Sequence, residues 1–177
     1  MNNDKKKSDI DVGIVMGSDS DLPFIKATVD TIRQFAVRCE TRVISAHRTP
    51  ELASEYAIEA STRGLKVIIA AAGGAAHLAG VLAAHTILPV IGIPVKQGAL
   101  DGLDSLLATV QMPAGVPVAT VALGNAGPVN AGILAVQILA LQRPELAKRL
   151  QAYKKTLKEK VKAGNQRIQL KLEENHE

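Results

Sequence analysis

The sequence predicts an α/β fold, a three-layer sandwich in which a central parallel sheet of about five strands lies between helices. Three observations predict it. Short β-rich runs alternate with longer helical patterns along the 177 residues. The runs are continuously apolar, as strands covered on both faces require. Apolar residues make up 47% of the chain, yet only two Phe, two Tyr and no Trp are present. The interior must therefore be filled by Ala, Val, Ile and Leu in closely approaching layers. A chain of this length buries roughly 70% of its unfolded surface, which is enough for one core.

Taken in order, the polar stretch 1–11 with Lys5, Lys6 and Lys7 has no adjoining long apolar run and reads as a disordered leader. Strands are expected at Val12–Met16, Thr41–Ser45, Lys66–Ala71, Val90–Ile93 and Val118–Leu123. The segments between them are long enough for crossover helices, so the strands run parallel. Pro144 separates the last body helix from a C-terminal helix. In that helix Leu146, Leu150, Tyr153, Leu157 and Val161 recur every three or four residues as one apolar stripe. The expected organisation is a single catalytic domain, 12–163, that includes this helix, followed by a polar tail, 164–177, that frays.

Charge and cysteine content narrow the function classes. The net charge of +4 sits at the end of the chain. From Gln142 onward there are ten basic and five acidic residues, leaving 11 basic against 12 acidic in the preceding body. Alternating with an apolar stripe, those charges describe the solvated face of a helix, and no nucleic-acid-binding motif accompanies them. The single Cys39 excludes an intramolecular disulfide, no Cys/His spacing suits zinc, and a reducing, cytoplasmic setting fits. No run is expected to span a membrane.

Open sheets of the flavodoxin or Rossmann kind collect ligands where the C-terminal ends of strands meet helix N-termini. Four loops carry unusual residues there: Gly17–Asp21, Ser45–Pro50, Gly73–His77 and Gly124–Pro128. In the first, Gly17 permits a sharp turn, and Ser18 and Ser20 stand beside free amides at a helix start, where a phosphate binds without metal. The same residues also suit plain capping by Ser20 or Asp21, with Pro23 in the first turn. In the second, Ser45 and Arg48 offer a hydroxyl and a planar cation beside a helix announced by Thr49 and Pro50. His47 stands between them, and imidazole, with an ordinary pKa of about 6.5, is the side chain suited to take and return a proton near neutrality. In the third, Gly73 and Gly74 bare the backbone for a flat heterocycle, or else for close helix–sheet contact. His77 either polarises a ligand or caps a helix. His85 and His176 receive no catalytic role.

Taken together, Met16-Gly17-Ser18-Asp19-Ser20-Asp21, Ser45-Ala46-His47-Arg48-Thr49-Pro50, Gly73-Gly74-Ala75-Ala76-His77-Leu78 and Val110-Gln111-Met112-Pro113 resemble the motifs of the class I N5-carboxyaminoimidazole ribonucleotide mutases. The resemblance runs from about Val12 to Leu141. It implies an isomerase of de novo purine biosynthesis that acts on a small-molecule ribonucleotide without cofactor or metal. It also implies a homo-octamer that makes transient contact with the synthetase supplying its substrate. Carried over by motif, Ser18, Ser45 and Arg48 hold the phosphate, Asp21 the ribose and Gly73-Gly74 the imidazole, with His77 in the binding set and His47 as the acid/base. Ala71 and Ala79 stand where Gly and Pro are commonest, and Asn125 where Lys is frequent, which bears on local fit and loop closure.

Three other readings remain at this level. A class II carboxylase of the same family uses the unsubstituted aminoimidazole ribonucleotide and free carbon dioxide; Ala76-His77-Leu78 resembles class I instead. A flavodoxin-like carrier of flavin mononucleotide would suit the architecture, although the poverty of aromatic residues speaks against ring stacking. A non-catalytic nucleotide sensor would bind the same ligand without turnover.

Overall fold

The computed structural model describes residues 10–174, so the expected leader lies almost wholly outside the described residues. Five parallel strands form one sheet in the order β2-β1-β3-β4-β5, with β1 at Val12–Met16, β2 at Cys39–Val43, β3 at Val67–Gly73, β4 at Val90–Val95 and β5 at Ala119–Thr120. The order changes direction between β1 and β3, which leaves a crevice at their C-terminal ends.

Helices cover both faces, as the apolar strands require. β1 and β4 are buried at every position. On one face Val15, Ile68 and Ala70 pack with Ala53, Tyr56 and Ala57 of α2 (Pro50–Ala60) and with Leu78, Ala79 and Leu82 of α3 (Leu78–Ala84). Fully burying each Leu or Ile contributes about 1.5–3 kcal/mol before entropy is counted. Across the sheet run α1 (Leu22–Gln34) and α5 (Ala126–Ala140), where the buried Thr28 hydroxyl donates to the Pro128 carbonyl at 2.9 Å. The remaining crossover, α4 (Leu103–Val110), packs on β4 and β5.

The outer strands differ from expectation. β2 reads Cys-Glu-Thr-Arg-Val and is half-buried to exposed along its length, a polar edge rather than an apolar strand covered on both faces. It begins two residues before the predicted start, because pairing with β1 (Val12 opposite Cys39, Met16 opposite Val43) sets its limits. β5 keeps only two residues of the predicted six, paired as Ile91 with Ala119 and Gly92 with Thr120.

The described residues divide into two compact units, one ending at Ile138 and the other beginning at Leu139. The second unit is dominated by α6 (Pro144–Glu174), which continues through Gly164, where fraying was expected. Along its apolar stripe exposure rises from 3% at Leu146 to 73% at Val161. Among the described residues no helix is long and apolar enough to cross a membrane.

Candidate active site

Four strand ends meet at one cavity of about 350 Å³. From β1 come Gly17, Ser18 and Asp21; from the loop after β2, Ser45, His47 and Arg48. Gly73 and His77 follow β3, and Gln97 follows β4. Seven of the eight expected site residues therefore line a shared space, within the 300–1,000 Å³ range usual for small-molecule sites. Gly74 is the exception. It stands in the turn that follows β3 with a φ of +61°, a conformation that glycine adopts without strain. The loop Gly124–Pro128 after β5 also contributes nothing to the lining.

The second loop is built to present His47. Thr49 closes it by donating from Oγ1 to the Ser45 carbonyl at 3.0 Å and accepting from the Ser45 amide at 3.1 Å. That use of its hydroxyl replaces the expected helix cap; Thr49 makes no side-chain cap bond to α2. Arg48 then straps two loops together. Its Nη2 donates to the Gly17 carbonyl at 2.9 Å, while its backbone N and Nε approach Ser45 Oγ at 3.2 and 3.4 Å. Arg48, Ser45 and the first loop thus form one cationic, hydroxyl-bearing wall suited to an anion.

In the first loop Ser18 rather than Ser20 does the capping. Ser18 Oγ accepts from the Ser20 amide at 3.3 Å at the start of a single 3-10 turn, Asp19–Asp21, and from the Ser20 hydroxyl at 2.8 Å. Asp21 occupies the position before α1 without bonding its amides. It is instead buried, with Oδ1 accepting from Gln97 Nε2 at 2.9 Å. Burial raises its carboxyl above the ordinary value, opposed by hydrogen bonds involving Ser18 and Gln97.

His77 stands immediately before α3 and beside His47. It makes no side-chain cap bond to α3, and its Nδ1 lies 2.7 Å from His47 Nε2, with the rings edge to face at 4.8 Å between centroids. One ring nitrogen must donate that bond and the other accept it, so the tautomers of the two rings are set together.

Sequence reasoning missed Gln97. Its side chain lies against the bare Gly73 backbone, where a Cβ would stand 2.7 Å from Gln97 Oε1. The one available signal was a polar pair, Lys96-Gln97, directly after an apolar strand. The Gln111-Met112 motif has a packing function: Met112 Sδ occupies the space that a side chain at Gly80 would need, at 2.9 Å from its Cβ position. Among the described residues no three His, Cys, Asp or Glu side chains gather as a metal-binding group.

The chain is similar to known proteins over most of its length. N5-carboxyaminoimidazole ribonucleotide mutase of Pyrococcus horikoshii is 55% identical over 158 residues, 89% of this chain and 88% of that protein. The enzymes of the same name from Thermotoga maritima (54%; 89% and 91% covered) and Mycobacterium tuberculosis H37Rv (55%; 89% and 90% covered) are similarly related. Among solved structures, Treponema denticola PurE superposes with a TM-score of 0.77 at 27% identity, covering 85% of this chain and 92% of that one. With the AIR carboxylase family model matching residues 11–160, the chain belongs to the AIR carboxylase family.

Proposed function

We propose that this protein is an isomerase of de novo purine biosynthesis that interconverts N5-carboxyaminoimidazole ribonucleotide and 4-carboxy-5-aminoimidazole ribonucleotide, with His47 as general acid and base. The observation that carries the reading is the convergence of the His47–His77 pair with the Arg48–Ser45 wall on one cavity. A ribonucleotide needs an anion site, a hydroxyl acceptor and a surface for a flat ring. Ser18, Ser45 and Arg48 supply the first, Asp21 the second, and the backbone at Gly73 the third.

The chemistry then follows in order. A proton delivered by His47 to the exocyclic carbamate nitrogen breaks the N–C bond and releases carbon dioxide, leaving a neutral aminoimidazole. Its ring carbon, made nucleophilic by the adjacent amine, attacks the carbon dioxide before it escapes, an advantage of proximity in a confined site. His47, now neutral, removes the hydrogen from the tetrahedral ring carbon, which restores aromaticity and recharges the acid. One residue serves both transfers. His77 orients the His47 ring through the Nε2–Nδ1 bond.

The same reading includes a cytoplasmic homo-octamer that meets the substrate-producing synthetase transiently. The enzymatic test supplies purified protein with N5-carboxyaminoimidazole ribonucleotide or, separately, with aminoimidazole ribonucleotide and bicarbonate. Efficient conversion of the first supports the mutase. Efficient turnover of the second alone overturns it in favour of a carboxylase that uses free carbon dioxide, and tight binding without turnover makes the protein a sensor.

A further inference from the structure

We infer that Gln97 is a positioning residue that aims the Asp21 carboxylate at the ribose of the substrate and so sets the preference for a hydroxylated sugar; the inference rests on the mutase reading above. Gln97 and Asp21 lie 76 positions apart, yet Nε2 donates to Oδ1 at 2.9 Å. That bond engages Oδ1 and, together with a hydrogen bond from the Ser18 backbone, fixes the plane of the group, while the lone pairs left on a carboxylate that lines the cavity can accept from a ligand hydroxyl. A carboxylate buried as Asp21 is turns freely only at the cost of losing its donor.

The rest of the loop holds Gln97 in place. Its side chain rests on the backbone of Gly73, with Cδ and Cγ 2.8 and 3.1 Å from where a Cβ would stand, so any residue but glycine there would displace it. Lys96 and Asp101 close the loop by an ion pair at 2.7 Å. Below it the buried Ser105 hydroxyl sits 2.9 Å from the carbonyls of both Val95 and Gly102. Gln97 thereby joins the acceptor proposed for the sugar to the backbone proposed for the heterocycle, across the junction of β1, β3 and β4. It acts on substrate through Asp21, as an orienting group behind an acceptor.

The test compares wild type with Gln97→Leu and Gln97→Glu, which retain the side chain's bulk over Gly73 but lack the donor. Steady-state turnover of N5-carboxyaminoimidazole ribonucleotide is measured, together with calorimetric binding of 4-carboxy-5-aminoimidazole ribonucleotide and its 2′,3′-dideoxyribose analogue. Loss of a hydrogen bond to a charged group predicts KM raised about tenfold in Gln97→Leu, and more in Gln97→Glu, with kcat within about twofold. All three proteins then bind the dideoxy analogue equally, because it presents no hydroxyl for Asp21 to accept. Unchanged KM in both variants, or a loss that persists with the dideoxy analogue, overturns the positioning role. Absence of turnover in the wild type would instead overturn the mutase reading, and the binding arm still decides whether Gln97 governs sugar recognition.

Discussion

Two polar clusters on this fold are made of similar parts and put to opposite uses. In one, Glu40 of β2 accepts from Tyr56 Oη at 2.9 Å and pairs with Arg63, whose guanidinium also lies 5.2 Å from the centre of the Tyr56 ring. In the other, His47 bonds to His77 and Arg48 to Ser45, and both pairs line one cavity. The first cluster is turned inward: the Glu40 side chain is 11% exposed, and the bare α-carbon of Gly13 packs directly against the Tyr56 hydroxyl. The second is exposed and keeps donors and acceptors directed at open space. A closed network anchors an edge strand, whereas an open one is available for chemistry.

Breaking the two clusters separates their effects. His47→Asn is expected to lower kcat by about 10²- to 10⁴-fold, the span of general acid/base assistance, while leaving stability within about 0.5 kcal/mol because the residue is exposed. Stopped assays and thermal denaturation on the same preparation check both halves; normal turnover would remove His47 from the mechanism. Glu40→Ala is expected to do the reverse. It strips Arg63 and Tyr56 of a shared acceptor and costs about 2–3 kcal/mol by chemical denaturation. Below its melting transition its kcat should remain within about twofold of wild type.

A third substitution refines the anchoring cluster. Burial, followed by the Glu40 charge and hydrogen bond, pushes the Tyr56 phenol well above its ordinary value, so the native state holds this proton more tightly than the unfolded chain. Its contribution is fully present below about pH 10 and is lost as pH climbs through the folded-state value, at most about 1.4 kcal/mol per pH unit. Tyr56→Phe should cost about 1 kcal/mol at neutral pH and flatten the alkaline decline. A decline as steep as in the wild type would assign it to other groups.

How much of this was legible follows from where the information resides. β1, β3 and β4 write their burial into continuous apolar runs, so their existence and parallel arrangement could be read directly. β2 could not be placed as well, since a polar edge strand takes its limits from the neighbour it pairs with. The continuation of α6 through Gly164 was likewise not legible where a polar, terminal segment reads as one that frays. In the site, His47 and Arg48 stood out because several uncommon residue types crowd a six-residue loop. Gly74, beside Gly73 in sequence, takes a positive φ that the sequence alone did not distinguish. Gln97 was invisible for a different reason: its meaning lies in a partner from another strand end.

The smallest predicted effect concerns Asp21 and bears on the open cluster's side of the comparison. Desolvation disfavours its charged form, so its folded-state pKa lies above the ordinary 3.8. The stability contributed by the protonated carboxyl is therefore complete below the unfolded value and is lost as pH rises through the folded one. Substrate recognition runs the opposite way, because only the ionised group offers a full acceptor to a sugar hydroxyl while keeping the Gln97 bond. As pH falls from neutrality toward the raised value, KM for the ribonucleotide should climb severalfold. In Asp21→Asn this acid-side rise in KM disappears, and KM stays near a constant, elevated level across the range. An acid limb that survives the substitution would show that a group other than Asp21 sets the pH dependence of binding.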